Sequence, residues 1–217
     1  MAKPALVIGN KAYSSWSLRP WLLMRHAQLD FEEVRLPLYT EAWNAGIARY
    51  SPSGKVPALI DGEVCVWDSL AICEYLAETH PAKRLWPQDR AARAAARAVS
   101  AEMHSGFRDL RSTMAMNVRR SFPGRGRTPE TMRDVARITA IWNDCRARFG
   151  RQGGFLFGDF SIADAMYAPV ASRFRTYAVE LDQVCRAYVE TIHSLPSMQR
   201  WIAEASAETE VIAQYET

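Results

Sequence analysis

Two apolar runs, Val56-Pro57-Ala58-Leu59-Ile60 and Glu63-Val64-Cys65-Val66-Trp67, flank the dipeptide Asp61-Gly62. That pattern commits the chain to a β-hairpin, because glycine supplies the backbone conformation that a tight turn between strands demands. A helix follows from about Ser69, with Leu70, Cys73, Leu76 and Ala77 at helical period, and His80-Pro81 ends it. Upstream, Ala5-Leu6-Val7-Ile8-Gly9 has the form of a buried strand. Leu18, Trp21 and Leu22 then place a helix from about Ser17, with Pro20 in its first turn, where a missing N–H costs nothing. Phe31 to Leu36 forms a second strand, a weaker helical segment runs through Trp43 and Ile47, and Pro52-Ser53-Gly54 is a turn. Strand, helix, strand, helix, hairpin, helix is an α/β unit of 80 residues that needs a mixed sheet.

Beyond Pro81 the pattern changes. Residues 81–89 have the composition of a linker, and residues 90–217 contain no convincing strand. Ala92, Ala96, Val99, Met103, Phe107, Leu110 and Met114 step by three or four residues and predict one long helix. Another begins at Thr128-Pro129-Glu130 and carries Met132, Val135, Ile138, Trp142, Cys145 and Phe149. A third starts at Ser161-Ile162-Ala163-Asp164, where serine and aspartate have capping-box spacing, and the last clear one runs from Pro196 through Trp201. Residues 121–127 form an exposed loop. The expected organisation is thus residues 1–80, a linker at 81–89 and an all-helical part over 90–217.

Charge and cysteine usage narrow the function classes. The first 80 residues hold 7 Lys/Arg against 9 Asp/Glu, out of totals of 27 and 24, so the basic excess lies in the helical part. That excess is too small to indicate a nucleic-acid binder and suits a small anionic ligand as well. Cys65, Cys73, Cys145 and Cys185 have neither zinc-site nor disulfide-framework spacing, and no metal is expected. The apolar start is too short for a signal peptide and no stretch is long enough to span a bilayer, so a cytoplasmic protein without membrane partners is expected.

Three local sites carry candidate chemistry. Ser14-Ser15 lies between the first strand and the first helix, where free backbone N–H groups favour negative charge and a hydroxyl can donate to a thiolate. A plain helix cap is the alternative. Val56-Pro57 opens an apolar strand; a cis bond there would free the valine backbone for an extended ligand, and an edge-strand proline is the alternative. Asp68-Ser69 opens a helix that could take both the ammonium and the carboxylate of an α-amino-acid end, or could simply cap it. In addition, Arg93, Arg97, His104, Arg108 and Arg111 share an arc of the long helix. That stripe is either solvated or the lining of a cleft.

The three sites occur in the order that a glutathione-binding protein requires, and the chain resembles the soluble glutathione transferases, in particular a divergent, zeta-like bacterial branch. Ser14-Ser15-Trp16-Ser17-Leu18-Arg19 resembles the Ser-Ser-Cys-Ser-Trp-Arg signature of the zeta class. Gly54-Lys55-Val56-Pro57-Ala58-Leu59 is similar to the cis-proline segment, Asp68-Ser69-Leu70-Ala71-Ile72 to the Glu/Gln-Ser-x-Ala-Ile segment, and Gly158 to Asp164 to the helix-capping motif of the C-terminal domain. The resemblance implies a thioredoxin-like α/β N-terminal domain followed by an all-α C-terminal domain. It implies glutathione as co-substrate, a small electrophile as second substrate and a homodimer. It gives Ser14, or Ser15, the thiol-activating role, and Lys55, Val56, Pro57, Asp68 and Ser69 the binding of glutathione. Trp16, Met103, His104, Phe107, Arg111 and Arg175 would shape the second-substrate pocket, the two arginines facing a carboxylate. Trp16 is the departure: it replaces the cysteine of the zeta signature and counts against transferring maleylacetoacetate isomerisation to this chain. A non-catalytic interaction module on the same fold, or an isomerase, are the alternatives. Glutathione-dependent peroxide or disulfide reduction would want a cysteine near the first helix, where there is none.

Overall fold

The computed structural model describes residues 3–216. Four strands, β1 (Ala5–Ile8), β2 (Glu32–Arg35), β3 (Ala58–Asp61) and β4 (Val64–Trp67), form one sheet in the order β2-β1-β3-β4. β1 and β2 run parallel, joined across helix α1 (Ser15–His26), while β3 is antiparallel to both β1 and β4. The hairpin pairs Asp61 with Val64, and Gly62 takes the positive φ of 61° that the turn requires. Helix α2 (Glu41–Gly46) and a 3-10 turn over Ile47–Arg49 link β2 to β3, and α3 (Ser69–Thr79) closes the unit.

The helical part contains α4 (Arg90–Ser105), α5 (Arg108–Thr113), α6 (Pro129–Phe149), α7 (Ile162–Thr176), α8 (Gln183–Ser194) and α9 (Pro196–Ser206). Helix α7 is the hub. Every one of its residues except Arg175 is buried, and it packs on α1, α4 and α8. Its start is fixed by the expected capping box, since the Asp164 carboxylate accepts from the Ser161 N–H at 2.9 Å and the Ser161 hydroxyl at 3.0 Å. The same carboxylate also accepts from the Leu156 N–H and the Tyr188 hydroxyl, so one buried side chain ties a loop and α8 to α7.

Two expectations are corrected, the edge-strand alternative is set aside and one helix is added. The predicted long helix breaks at Gly106-Phe107: the Gly106 N–H closes α4 on Glu102, a Cβ on Gly106 would lie 2.7 Å from the Glu102 carbonyl oxygen, and Phe107 adopts φ 57°. The apolar steps from Met103 to Met114 continue across that break, so periodicity could not detect it. Pro20 lies in the second turn of α1, because the Ser14 side chain, accepting from the Ser17 N–H, starts the helix at Ser15. Pro57 opens an interior strand, since β3 is flanked by β1 and β4. Helix α8 had no predicted counterpart, although Asp182 caps it and Cys185, Tyr188, Val189 and Ile192 bury one face.

Candidate functional site

The end of β1, the N-terminus of α1, the start of β3 and the N-terminus of α3 converge where α4 and α7 pack against the α/β unit and Arg111 of α5 reaches Trp16. Ser14 is nearly buried. Its hydroxyl accepts from the Ser17 N–H at 3.3 Å and donates to the Ser17 hydroxyl at 2.8 Å, which in turn accepts from the Gly9 N–H. Ser15, half-buried, is the first residue of α1. Both serines line a cleft of about 550 Å³ whose walls include Trp16, Val56, Arg111 and Arg173.

A second cavity of about 390 Å³ adjoins it, lined by Pro57, Asp68 and Ser69 among others. The two share Trp16, Lys55 and Val56. The Val56–Pro57 peptide is cis, and Val56 lies just outside the strand ladder, which begins at Ala58. Asp68 caps α3 from a left-handed backbone conformation of φ 80°, unusual for a residue with a side chain. Its Oδ1 accepts from the Leu70 and Ala71 N–H groups, leaving Oδ2 to face His104 Nε2 at 3.1 Å.

The indole of Trp16 is the partition. Arg19 lies over it at 4.3 Å from the ring centroid, Arg111 at 5.4 Å, and His104 meets it edge-on. Arg19 is buried, donates to the Ser69 hydroxyl at 3.2 Å and leaves its Nε without a partner among the described residues. Burial, reinforced by Arg173 and Arg111, lowers its pKa to about 9. Burial likewise lowers Arg173 to about 10; that residue donates from Nε to the Met114 carbonyl and from Nη1 to the Pro169 carbonyl. Among the described residues, no carboxylate lies within ion-pair distance of Arg19, Arg111 or Arg173. Of the three, Arg111 and Arg173 line the cleft, where their positive charge is open to an entering anion.

Of the remaining residues named from sequence, Lys55 lines both cavities from an exposed position. Met103 is fully buried in the core and Phe107 sits at the α4–α5 break, neither lining the two cavities. Arg175 is not at the site. It projects from the one exposed position of α7 and pairs with Glu190 at 2.7 Å, while Arg173, half a helical turn away, faces the cleft. Arg93 and Arg97 are likewise held elsewhere, at the Pro87 and Gln88 carbonyls and at Glu74. Sequence reasoning missed Arg173, Tyr13, Tyr39, Trp43 and Tyr215. Arg173 shares its helix with Arg175, and nothing in the sequence separates the two cations. Among the described residues there is no group of three or more His, Cys, Asp or Glu able to hold a metal ion, and no helix is long and apolar enough to cross a membrane.

A thioredoxin-like α/β unit with a cis-proline in a cavity wall, packed on a helical bundle so that a divided cleft lies between them, defines the class of proteins to which the chain's relatives also point. Residues 13–79 match the family model for the glutathione S-transferase N-terminal domain and residues 90–204 that for its C-terminal domain. The chain is 30% identical over 185 residues to the maleylacetoacetate isomerase of Rattus norvegicus, covering 82% of each chain. It is 35% identical over 117 residues to a probable maleylacetoacetate isomerase of Caenorhabditis elegans, a match covering 54% of this chain and 53% of that one, so the likeness spans about half the length of that relative. In fold it is similar to a glutathione transferase homologue from Burkholderia gl BGR1 solved with bound glutathione, with a TM-score of 0.71 and 23% identity over 94% of this chain and 99% of that one. The chain belongs to the glutathione transferase family.

Proposed function

We propose that the protein is a glutathione transferase that holds glutathione along the two adjoining cavities and directs its thiolate at a small electrophile bearing a carboxylate. The observation that carries this reading is the continuity of the site: Ser14 and Ser15 line one cavity, Asp68 and Ser69 the other, and Val56 both. In this reading Asp68 and Ser69 take the γ-glutamyl end, the Val56 backbone pairs with the cysteinyl part, and Lys55 and Pro57 complete that wall. The sulfur then lies at the N-terminus of α1, where a serine hydroxyl and the positive end of the helix dipole stabilise the thiolate. Glutathione itself supplies the nucleophile, so the protein has only to position it and stabilise developing charge. Arg111 and Arg173 would face the acceptor's carboxylate. Boundaries near residues 80 and 90, a homodimer and a cytoplasmic location belong to the same reading.

Isomerisation of maleylacetoacetate type is the second reading, favoured by the similarity to the rat isomerase over most of the chain. Trp16 weighs against it, because in the proposed pose its indole, which lines the cleft, would stand beside the sulfur.

Calorimetric titration of the unmutated protein with glutathione tests the binding. The expected result is saturable binding that weakens in Asp68→Ala; no binding at millimolar concentration would remove the enzyme reading. The ultraviolet thiolate absorbance of bound glutathione should fall in Ser14→Ala, or in Ser15→Ala if that hydroxyl faces the sulfur. An unchanged titration in both variants takes the serines out of the mechanism.

A further inference from the structure

After α9 the chain turns back across the face of the α/β unit, and this segment ends at the mouth of the cleft. It is held there by polar groups from three other parts of the fold, one of them Arg35 of β2, which pairs with Glu210 at 2.9 Å. The Glu208 carboxylate accepts from the backbone N–H groups of Lys11 and Ala12, at 2.7 and 3.1 Å. Arg119 donates to the Glu208 carbonyl at 2.8 Å. Glu216 accepts from the Tyr13 hydroxyl at 2.5 Å, from Asn117 Nδ2 at 3.1 Å and from Arg120 Nε at 2.7 Å. Asn117, fully buried, also donates to the Tyr215 carbonyl at 2.9 Å, which fixes the backbone of that tyrosine directly.

So fixed, the Tyr215 side chain becomes part of the cleft wall. Its ring lies 5.6 Å from that of Tyr13, the residue before Ser14. Its phenol approaches that of Tyr39 closely enough to push the Tyr39 pKa up. Tyr39 is exposed and marks the rim, whereas Arg173 and Met116 are buried and mark the inner end. Tyr215, half-buried, therefore stands on the rim side of the space into which a group attached to the glutathione sulfur would grow.

We propose that Tyr215 is a specificity-determining residue: segment 207–216 carries Tyr215 to the outer wall of the acceptor cleft, and its ring limits how far a substituent on the sulfur can extend toward the rim. This rests on the glutathione transferase reading. An aromatic ring is suited to the task because it presents a large rigid surface at low conformational-entropy cost, and here its backbone is pinned on both sides. Size discrimination of this kind does not require the ring to touch the reacting atoms.

The test measures binding, so it needs no knowledge of the acceptor. Glutathione, S-methylglutathione and S-hexylglutathione are titrated into the unmutated full chain, Tyr215→Phe and Tyr215→Ala. In Tyr215→Ala the ratio of S-hexyl to S-methyl affinity should rise at least about fivefold, because a wall opposing the longer chain has been removed, while glutathione affinity stays within about twofold. Tyr215→Phe should retain the unmutated ratio. The inference is overturned by an unchanged ratio in Tyr215→Ala, by an equal change in Tyr215→Phe, or by parallel weakening of all three ligands, which marks a merely structural role. If the unmutated protein binds neither glutathione nor S-methylglutathione, the glutathione reading itself fails and takes this inference with it.

Discussion

His104 Nε2, on α4, lies 3.1 Å from Oδ2 of Asp68, the residue that caps α3, so a histidine of the helical domain reaches across to the carboxylate proposed to hold the ammonium of glutathione. The imidazole also rests edge-on against Trp16, and burial lowers its pKa although Asp68 opposes the shift. In its neutral form it donates to Asp68 and fixes the orientation of Oδ2 without cancelling the negative charge.

The first prediction follows from that geometry. His104→Ala should weaken glutathione binding about tenfold by calorimetry, the equivalent of about 1.4 kcal/mol for one oriented charge-assisted hydrogen bond. His104→Gln, which keeps a donor at similar reach, should recover part of the loss. In Asp68→Asn the His104→Ala substitution should have little further effect, and additive losses in the double variant would separate the two residues.

The second prediction distinguishes two neighbouring arginines. Arg173→Lys, which keeps the charge but loses the fork that donates to the Met114 and Pro169 carbonyls, should reduce kcat/KM for carboxylate-bearing acceptors about tenfold relative to neutral ones. Arg175→Ala removes only the exposed pair with Glu190 and should leave that ratio unchanged. Equal effects on charged and uncharged acceptors in Arg173→Lys would count against an anion subsite.

A third prediction concerns acid stability. Burial lowers the pKa of His193, on the inner face of α8, to about 4, from an unfolded value near 6.5. The unfolded chain therefore binds a proton at this site that the folded chain does not, and stability is lost as pH falls from about 6.5 toward about 4. Asp164 acts with the opposite sign: burial raises it to about 6, so the folded state takes up its proton first and acidification between about 6 and 4 favours folding at that site. Denaturant midpoints measured across this range should fall less steeply in His193→Gln than in the unmutated protein. A parallel slope would exclude His193 as a source of the acid sensitivity.

The fourth prediction tests the anchor of α7. Asp164→Ala leaves the N–H groups of Leu156 and Ser161 and the Tyr188 hydroxyl without their acceptor in a buried site. The expected cost is on the order of 3 kcal/mol, seen as a lowered midpoint of urea unfolding. Ser161→Ala removes only a single hydroxyl and should cost about 1 kcal/mol. Near-equal losses would mean that the carboxylate acts only as a helix cap.

The sequence by itself determined the strands, the hairpin and most helices, because a period of two or 3.6 residues and the turn chemistry of Gly62 are local properties. It also pointed to Ser14, Val56, Asp68 and Ser69, which line the two cavities and whose proposed roles depend on where a helix or strand begins. It did not determine which helical face looks into the cleft. Arg173 and Arg175 are two residues apart on one helix, and only the packing of α7 against α1, α4 and α8 decides that the first faces the cavity and the second faces Glu190. The break at Gly106-Phe107, which turns Arg111 toward Trp16, was hidden because the apolar spacing runs through it. The same limit applies to Tyr215, separated in sequence from Tyr13 by nearly the whole chain. Their meeting depends on buried Asn117 and on Arg119, contacts that no local pattern encodes.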